Sequence, residues 1–430
     1  MPKIVISNCW SFYNKGDAAI TISTVNLIHK MFENHDITLL AVDSKSFIEH
    51  KESFKISIKI LPMIHTVWPF KNIRMLYSAT LYYSKKYLPS IGILYLILQL
   101  FLLSIIRKFS RRVKEITSEI DQACLIIAVG GNYLWSNEGF YNQIIPLFYA
   151  KFLKKKKVIL LGHSIGPFKQ GIDTWTARLL FEKIDAIMFR EEISYDYVNK
   201  NILPLKNGII SSDFAFLLEH KRSKEKMNKQ IVGFTIRKWL NESPELFQRY
   251  LSSIIALIEM LSEKGYIIYL IPFSYLPGQE NDVEICNLVL EMINTPHRNN
   301  VYKIDMKDMS PIQIMENLNE LDISILVGTR LHSVILASIA GISPIIISYQ
   351  HFKALGISKQ LGIDNLLLKI DEMNFKVLKD KFLYLSENIE SVNDKMLKSL
   401  IKIRERLYSN MRAILSQIMS RQEQVIDYDK

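Results

Sequence analysis

The segment Asp322-Ile-Ser-Ile-Leu-Val-Gly-Thr-Arg-Leu-His332 decides how the rest of the chain is read. Ile323 to Val327 is a short apolar, β-branched run, the pattern of a strand buried on both faces. Gly328 and Thr329 break it, and Leu331, Ile335, Leu336 and Ile339 then recur at helical spacing up to Gly341. Arg330 and His332 therefore fall where a strand ends and a helix begins, the position at which open α/β sheets bind ligands. Amides at a helix N-terminus favour anions, and a guanidinium adds a planar fork for phosphate or carboxylate. An imidazole beside them moves protons near neutral pH. The same residues also read as a plain helix start with a solvated arginine and a hydrogen-bonded histidine, and the segment alone leaves both readings open.

The pattern of buried strand and amphipathic helix repeats on either side. Strands are expected at Lys3 to Ser7, Ile37 to Val42 and Ile56 to Leu61, with a helix from Ala18 to about Phe32. The rhythm resumes at Ala123 and runs through Val158 to Leu161, Ala186 to Phe189 and Ile209 to Asp213. A second series starts at Ile231 and passes through Gly265 to Ile271, Val301 to Ile304 and the opening segment to Ser343 to Ile347. This predicts α/β architecture with two Rossmann-like domains facing a cleft. The expected boundaries are 1–220 and 230–390, joined by the charged stretch Glu219 to Lys229 and followed by a C-terminal helix and tail over 391–430.

A chain of 430 residues is long for one core, and 49% hydrophobic against 23% charged residues excludes general disorder. The net charge of +11 is compatible with nucleic acid, an anionic membrane or anionic substrates. No zinc-finger or RNA-binding aromatic signature accompanies it, so nucleic acid is not expected. Three dispersed cysteines imply neither a disulfide framework nor a cysteine-based zinc site and fit a reducing cytosol, and the first residues read as a strand rather than a secretion signal.

The insert at about 65–118 interrupts the α/β rhythm. It carries Trp68, Phe70, Tyr77, Tyr82, Tyr83 and Tyr87, then an apolar run from Ile91 to Ile106 and the basic residues Arg107, Lys108, Arg111 and Arg112. The run falls short of the ~20 apolar residues of a bilayer span. A buried helix, a helix lying in the membrane interface and a true span are all compatible with it, the buried helix being the expectation.

Most of the apparent strand ends carry polar or small residues: Asn14, Gly16 and Asp17; Gly130, Gly131 and Asn132; His163 and Ser164; Arg190; Arg237; Ser274; Tyr349 and Lys353. Singly these are ordinary turn and cap chemistry, and Asp17 reads as a helix cap. Their repetition in both halves is what points to a crevice. There is no Walker lysine loop, no dinucleotide fingerprint and no His-Glu-x-x-His, so no cofactor and no metal are expected, and His163-Ser164 reads as a strand-end pair that caps the next loop rather than as a nucleophile.

Taken in order, Asn14-Lys-Gly-Asp-Ala-Ala-Ile20, Gly130-Gly-Asn-Tyr-Leu134, Gly162-His-Ser-Ile-Gly-Pro167, Arg190-Glu-Glu-Ile-Ser194, Asp213-Phe-Ala-Phe216 and Gly328-Thr-Arg-Leu-His332 resemble the polysaccharide pyruvyl transferases. Asn132 departs from the pattern, standing where a third small residue is usual. The resemblance implies a fold like that of B-type glycosyltransferases. It implies transfer of a pyruvyl group from phosphoenolpyruvate, as co-substrate, to two hydroxyls of a sugar in a surface polysaccharide or its lipid-linked precursor, giving a ketal and phosphate.

Phosphoenolpyruvate carries two anionic groups, which suit two guanidinium forks. The donor candidates are Arg237, Arg330, His332, Ser274 and Lys353, with His332, Arg330 and Asp17 in the chemistry. Asn14, Gly16, Asp17, Asn132, Trp135 and Ser164 are the acceptor candidates, with Trp10 and Tyr133 as further rings able to stack on a sugar or simply pack. The partners implied are phosphoenolpyruvate and a saccharide acceptor either free or lipid-linked; a cytoplasmic location is expected, with contact to an anionic membrane at its inner face left open as one reading of the basic insert. A nucleotide-sugar glycosyltransferase of the same fold and a non-catalytic polysaccharide-assembly protein are the competing readings.

Overall fold

Thirteen strands form two wholly parallel sheets among the described residues. The structure is a computed structural model that describes residues 1–75, 91–137, 139–169, 171–220, 230–238, 243–278, 281–349 and 351–426. The first sheet contains β1 (Lys3–Cys9), β2 (Asp36–Ala41), β3 (Lys59–Pro62), β4 (Ala123–Ala128), β5 (Lys157–His163), β6 (Ala186–Phe189) and β7 (Gly208–Ile210), in the order β3-β2-β1-β4-β5-β6-β7. The second contains β8 (Ile231–Thr235), β9 (Ile267–Leu270), β10 (Val301–Lys303), β11 (Ile325–Gly328), β12 (Ser343–Ser348) and β13 (Leu367–Lys369), in the order β10-β9-β8-β11-β12-β13. Both orders are the doubly wound one, with a reversal beside the first strand. The strands read as near-continuous apolar runs because a parallel sheet is covered on both faces. Ile4, Val5 and Ile6 of β1 and Ile325, Leu326 and Val327 of β11 are all buried.

Contacts divide the chain into two compact units. One comprises Met1–Ser11, Ile20–Phe214 and Arg406–Lys430, and the other Phe12–Ala19 and Ala215–Glu405. The division is discontinuous in sequence, which a linear reading of segments does not reveal. Residues Phe12–Ala19 join the second unit because their backbone is stitched to it: the Lys15 amide donates to Phe273 (3.1 Å) and the Tyr275 amide to Tyr13 (2.9 Å).

Several elements differ from expectation. The helix after β1 is Lys15–Met31, so Asp17 lies inside its first turn and is not its cap. Asn14 takes the capping place, its Oδ1 accepting from the Gly16 amide at 3.2 Å. The C-terminal helix is Phe375–Ile426, broken only at Asn388 (φ −112°, ψ 17°). It starts before residue 391 because its buried stripe already begins at Leu378, Phe382 and Leu385.

The Ile91–Ile106 helix is followed by Arg111–Gln122, which Ser110 caps by accepting from the Val113 amide. The first of these buries Tyr95, Leu96 and Leu103 but leaves other large apolar residues exposed, so the expectation of a buried helix holds for one side only. Among the described residues no single helix is long and apolar enough to cross a membrane. Tyr77, Tyr82, Tyr83 and Tyr87, and residues 221–229 of the charged stretch, lie outside the described residues.

Candidate active site

In the second sheet β8 is flanked by β9 and β11, so the reversal of strand order falls at the ends of β8 and β11. Arg237 follows β8 and Thr329-Arg330 follows β11. Tyr250, fully buried, joins the two ends: its hydroxyl accepts from the Arg237 amide (3.3 Å) and hydrogen-bonds Thr329 Oγ1 (2.9 Å). The Thr235 and Ser333 hydroxyls meet at 2.6 Å between the end of β8 and the Leu331–Ile339 helix that follows β11. Gly328 permits that approach, because a Cβ there would stand 2.8 Å from Val334 Cγ2 and 3.2 Å from Ser333 Oγ.

Arg330 is not an open fork. Its Nε lies 3.0 Å from Asp282 Oδ2 and its Nη2 2.6 Å from Oδ1, with both residues buried. Asp282 Oδ2 also accepts from the Phe273 (3.1 Å) and Ser274 (3.0 Å) amides. Burial pushes the Asp282 carboxyl up from its ordinary value, while the charges of Arg330 and Arg237 pull it down. Two guanidinium groups thus act on one buried carboxylate. Sequence reasoning missed Asp282, which reads as an ordinary acid in the first turn of the Asp282–Met292 helix.

Arg237 lies over the Tyr349 ring, 4.8 Å from Cζ to its centroid, and donates from Nη1 to the Tyr349 hydroxyl. Tyr349 and Lys353 line a small open pocket of ≈ 30 Å³, together with Thr329, Leu331, Ser348 and Ala354. Its walls are therefore the ends of β11 and β12 and the helix starts that follow them. Ser274 presents a fully buried hydroxyl for which no partner is found among the described residues.

His332, half-buried in the first turn of its helix, lies directly against Gly16. A Cβ on Gly16 would stand 2.2 Å from His332 Nδ1. Asn14, Gly16 and Asp17, expected on the acceptor side of the first domain, therefore belong with the donor candidates in the second unit.

Lys15, between them, is a buried cation that sequence reasoning left without a role. Its Nζ donates to the carbonyls of Lys307 and Met309 (3.0 Å for the latter) and lies 4.2 Å from the centroid of the Phe12 ring. Burial lowers its pKa to about 7, with Asp308 and Asp305 opposing. The turn chemistry of Asn14 and Gly16 was legible, but nothing local to Lys15 signals burial.

The other candidates lie in the first unit. Ser164 has no exposed surface. Its hydroxyl donates to Glu191 Oε2 (2.9 Å) and accepts from Arg190 Nε (2.8 Å), while Arg190 Nη1 binds Asp213 Oδ2 (2.8 Å). The Arg190-Glu191 and Asp213 motif residues thus form a buried brace, and Ser164 is a member of it with no surface to offer a sugar. His163, fully buried with Nε2 2.7 Å from the Tyr133 hydroxyl, is lowered by burial to a pKa of about 3 and stays neutral. Asn132 is partly buried, and Trp135 and Trp10 are 36% and 42% exposed.

Comparison with known proteins follows the same lines. The family described as "Polysaccharide pyruvyl transferase" matches residues 14–351. The amylovoran biosynthesis protein AmsJ of Erwinia amylovora is 24% identical over 323 residues, covering 69% of this chain and 73% of its own. Among solved structures, HepE of Anabaena in complex with UDP-glucose is 11% identical with a TM-score of 0.56, covering 98% of this chain and 100% of its own. S. aureus MnaA with UDP is 10% identical with a TM-score of 0.55, covering 97% and 98%. At such identity these two likenesses speak for the fold, the two-domain B-type glycosyltransferase-like one. With the match spanning the Asn14–Asp17 turn, the buried brace and the Gly-Thr-Arg-Leu-His segment, the chain belongs to the polysaccharide pyruvyl transferase family.

Proposed function

We propose that this protein transfers the pyruvyl group of phosphoenolpyruvate to two hydroxyls of one sugar, in a surface polysaccharide or its lipid-linked precursor, at the cytoplasmic face of the membrane. The family assignment supports a transferase acting on a sugar. The observation that carries the finer reading is the convergence in one unit of Arg237, Arg330, Lys353 and His332 on the switch point of the second sheet, with Gly16 against the imidazole. Arg237 and Lys353 take the donor's phosphate and carboxylate. Arg330, held rigid by Asp282, supplies a fixed positive charge that needs no reorganisation during the reaction.

His332 gives a proton to the methylene carbon, which becomes the methyl group. The first sugar hydroxyl adds to the neighbouring carbon and passes its proton to Asp17, from which His332 is recharged. The carbon–oxygen bond to phosphate then breaks. The second hydroxyl closes the ketal, and its proton leaves with the phosphate. Asn14 and Gly16 offer polar backbone and side-chain groups that orient the acceptor.

A thermal-shift comparison tests the donor. Phosphoenolpyruvate should raise the melting temperature while nucleoside diphosphates and nucleotide sugars do not. The opposite pattern would replace this reading with nucleotide-sugar glycosyl transfer. His332→Ala should retain the melting temperature and lose transfer, and normal turnover would remove His332 from the mechanism.

A further inference from the structure

We propose that the Ile91–Ile106 helix and the basic turn after it form a patch that seats this protein on an anionic lipid surface. Leu94, Ile97, Leu98, Phe101 and Ile105 are 62%, 57%, 46%, 60% and 39% exposed. Their spacing places them on one face of the helix. The other face is spoken for: Tyr95, Leu96 and Leu103 are buried, and the Tyr95 hydroxyl donates to Asn142. Five neighbouring large apolar side chains on one helix face form a contiguous patch of the kind that marks an interaction site.

The charge beside the patch identifies what covers it. From Ile91 to Lys114 the sequence holds no acidic residue. The turn that ends the helix exposes Lys108 and Phe109, and the next helix begins with Arg111, Arg112 and Lys114, all exposed. Arg107 is not part of this set, because its guanidinium is taken by Asp121 (2.8 Å) and the Tyr149 hydroxyl. Apolar side chains flanked by unopposed cations match the boundary between acyl chains and anionic headgroups. A second copy of the same patch would cover the apolar stripe but offer the cations no countercharge. The chain bends by 104° between this helix and Arg111–Gln122, and the helix is too short to span, so the apolar face lies in the interface. The surface needs neither donor nor acceptor, so its test is separate from that of the transfer reaction.

The test is flotation of the full chain with vesicles of phosphatidylcholine, with and without phosphatidylglycerol. The protein should float with the anionic vesicles, remain behind with the neutral ones, and be partly released by salt. Leu94→Glu with Phe101→Glu should lower the bound fraction at least about tenfold at an unchanged melting temperature. Lys108→Glu with Arg111→Glu and Arg112→Glu should remove the preference for anionic lipid. Failure to float at low salt, or equal flotation of the Leu94/Phe101 variant, overturns the proposal. So does a native chain that sediments as a dimer, does not float, and becomes monomeric when the stripe is charged.

Discussion

Replacing Gly16 with Ala tests whether the position of His332 depends on the turn after β1. The new methyl group would stand 2.2 Å from His332 Nδ1, 2.6 Å from Cγ and 2.8 Å from Cβ. Ordinary van der Waals separation is about 3.5 Å, so the imidazole must retreat by roughly 1 Å. Because the clash reaches Cβ as well as the ring, rotation about the side-chain bonds does not relieve it, and the start of one of the two helices has to shift. A displacement of that size at a reacting group costs about 100-fold in rate.

The effect on stability should be much smaller. Ala is favoured over Gly in a helix by about 1 kcal/mol, which offsets part of an overpacking cost of about 1–3 kcal/mol. The assay is incorporation of radiolabelled pyruvyl groups from phosphoenolpyruvate into membrane glycolipid, read beside a urea denaturation curve. A large fall in transfer with a near-native midpoint supports the argument. Undiminished transfer by Gly16→Ala would show that the imidazole position is irrelevant to turnover, and the mechanism built on it would fail.

Three further outcomes are expected. Asp282→Asn leaves the buried Arg330 without its countercharge and should cost about 3–5 kcal/mol in a urea titration, together with weaker donor binding; an unchanged midpoint would show the ion pair to be dispensable. Arg237→Ala should weaken phosphoenolpyruvate binding by about 2–5 kcal/mol by calorimetry, and unchanged affinity removes Arg237 from the donor site. Lys15 has a folded-state pKa of about 7 against an ordinary 10.5, so between those values the unfolded chain holds a proton that the folded chain lacks. Stability should therefore rise with pH across that window. Lys15→Met should lose this rise, and identical pH profiles of the two proteins would contradict it.

Gly328-Thr-Arg-Leu-His332 could be placed at a strand–helix junction because both periodicities are local: a buried parallel strand and an amphipathic helix announce themselves within a few residues. The partner of Arg330 could not be found that way. Asp282 is 48 residues distant in sequence, and only the loop after β9 carries it beneath the guanidinium. Lys15 is harder still, since the carbonyl that it binds belongs to Lys307, 292 residues away. The Ile91–Ile106 run shows the same limit. Its composition signals an apolar helix, but which residues face the core depends on what packs against it.

By itself, then, the sequence determined the two α/β series, the strand-end position of Arg237, Arg330 and His332, and the family that those motifs resemble. These rest on short-range periodicity and turn chemistry. The tertiary structure decided that the Asn14–Asp17 turn joins the second unit and that Arg330 is held by Asp282. It also decided that Lys15 is buried and that Ser164 is part of a brace. Each of those depends on which distant segments meet. Burial and charge pairing are properties of that meeting, and no residue type states them in advance.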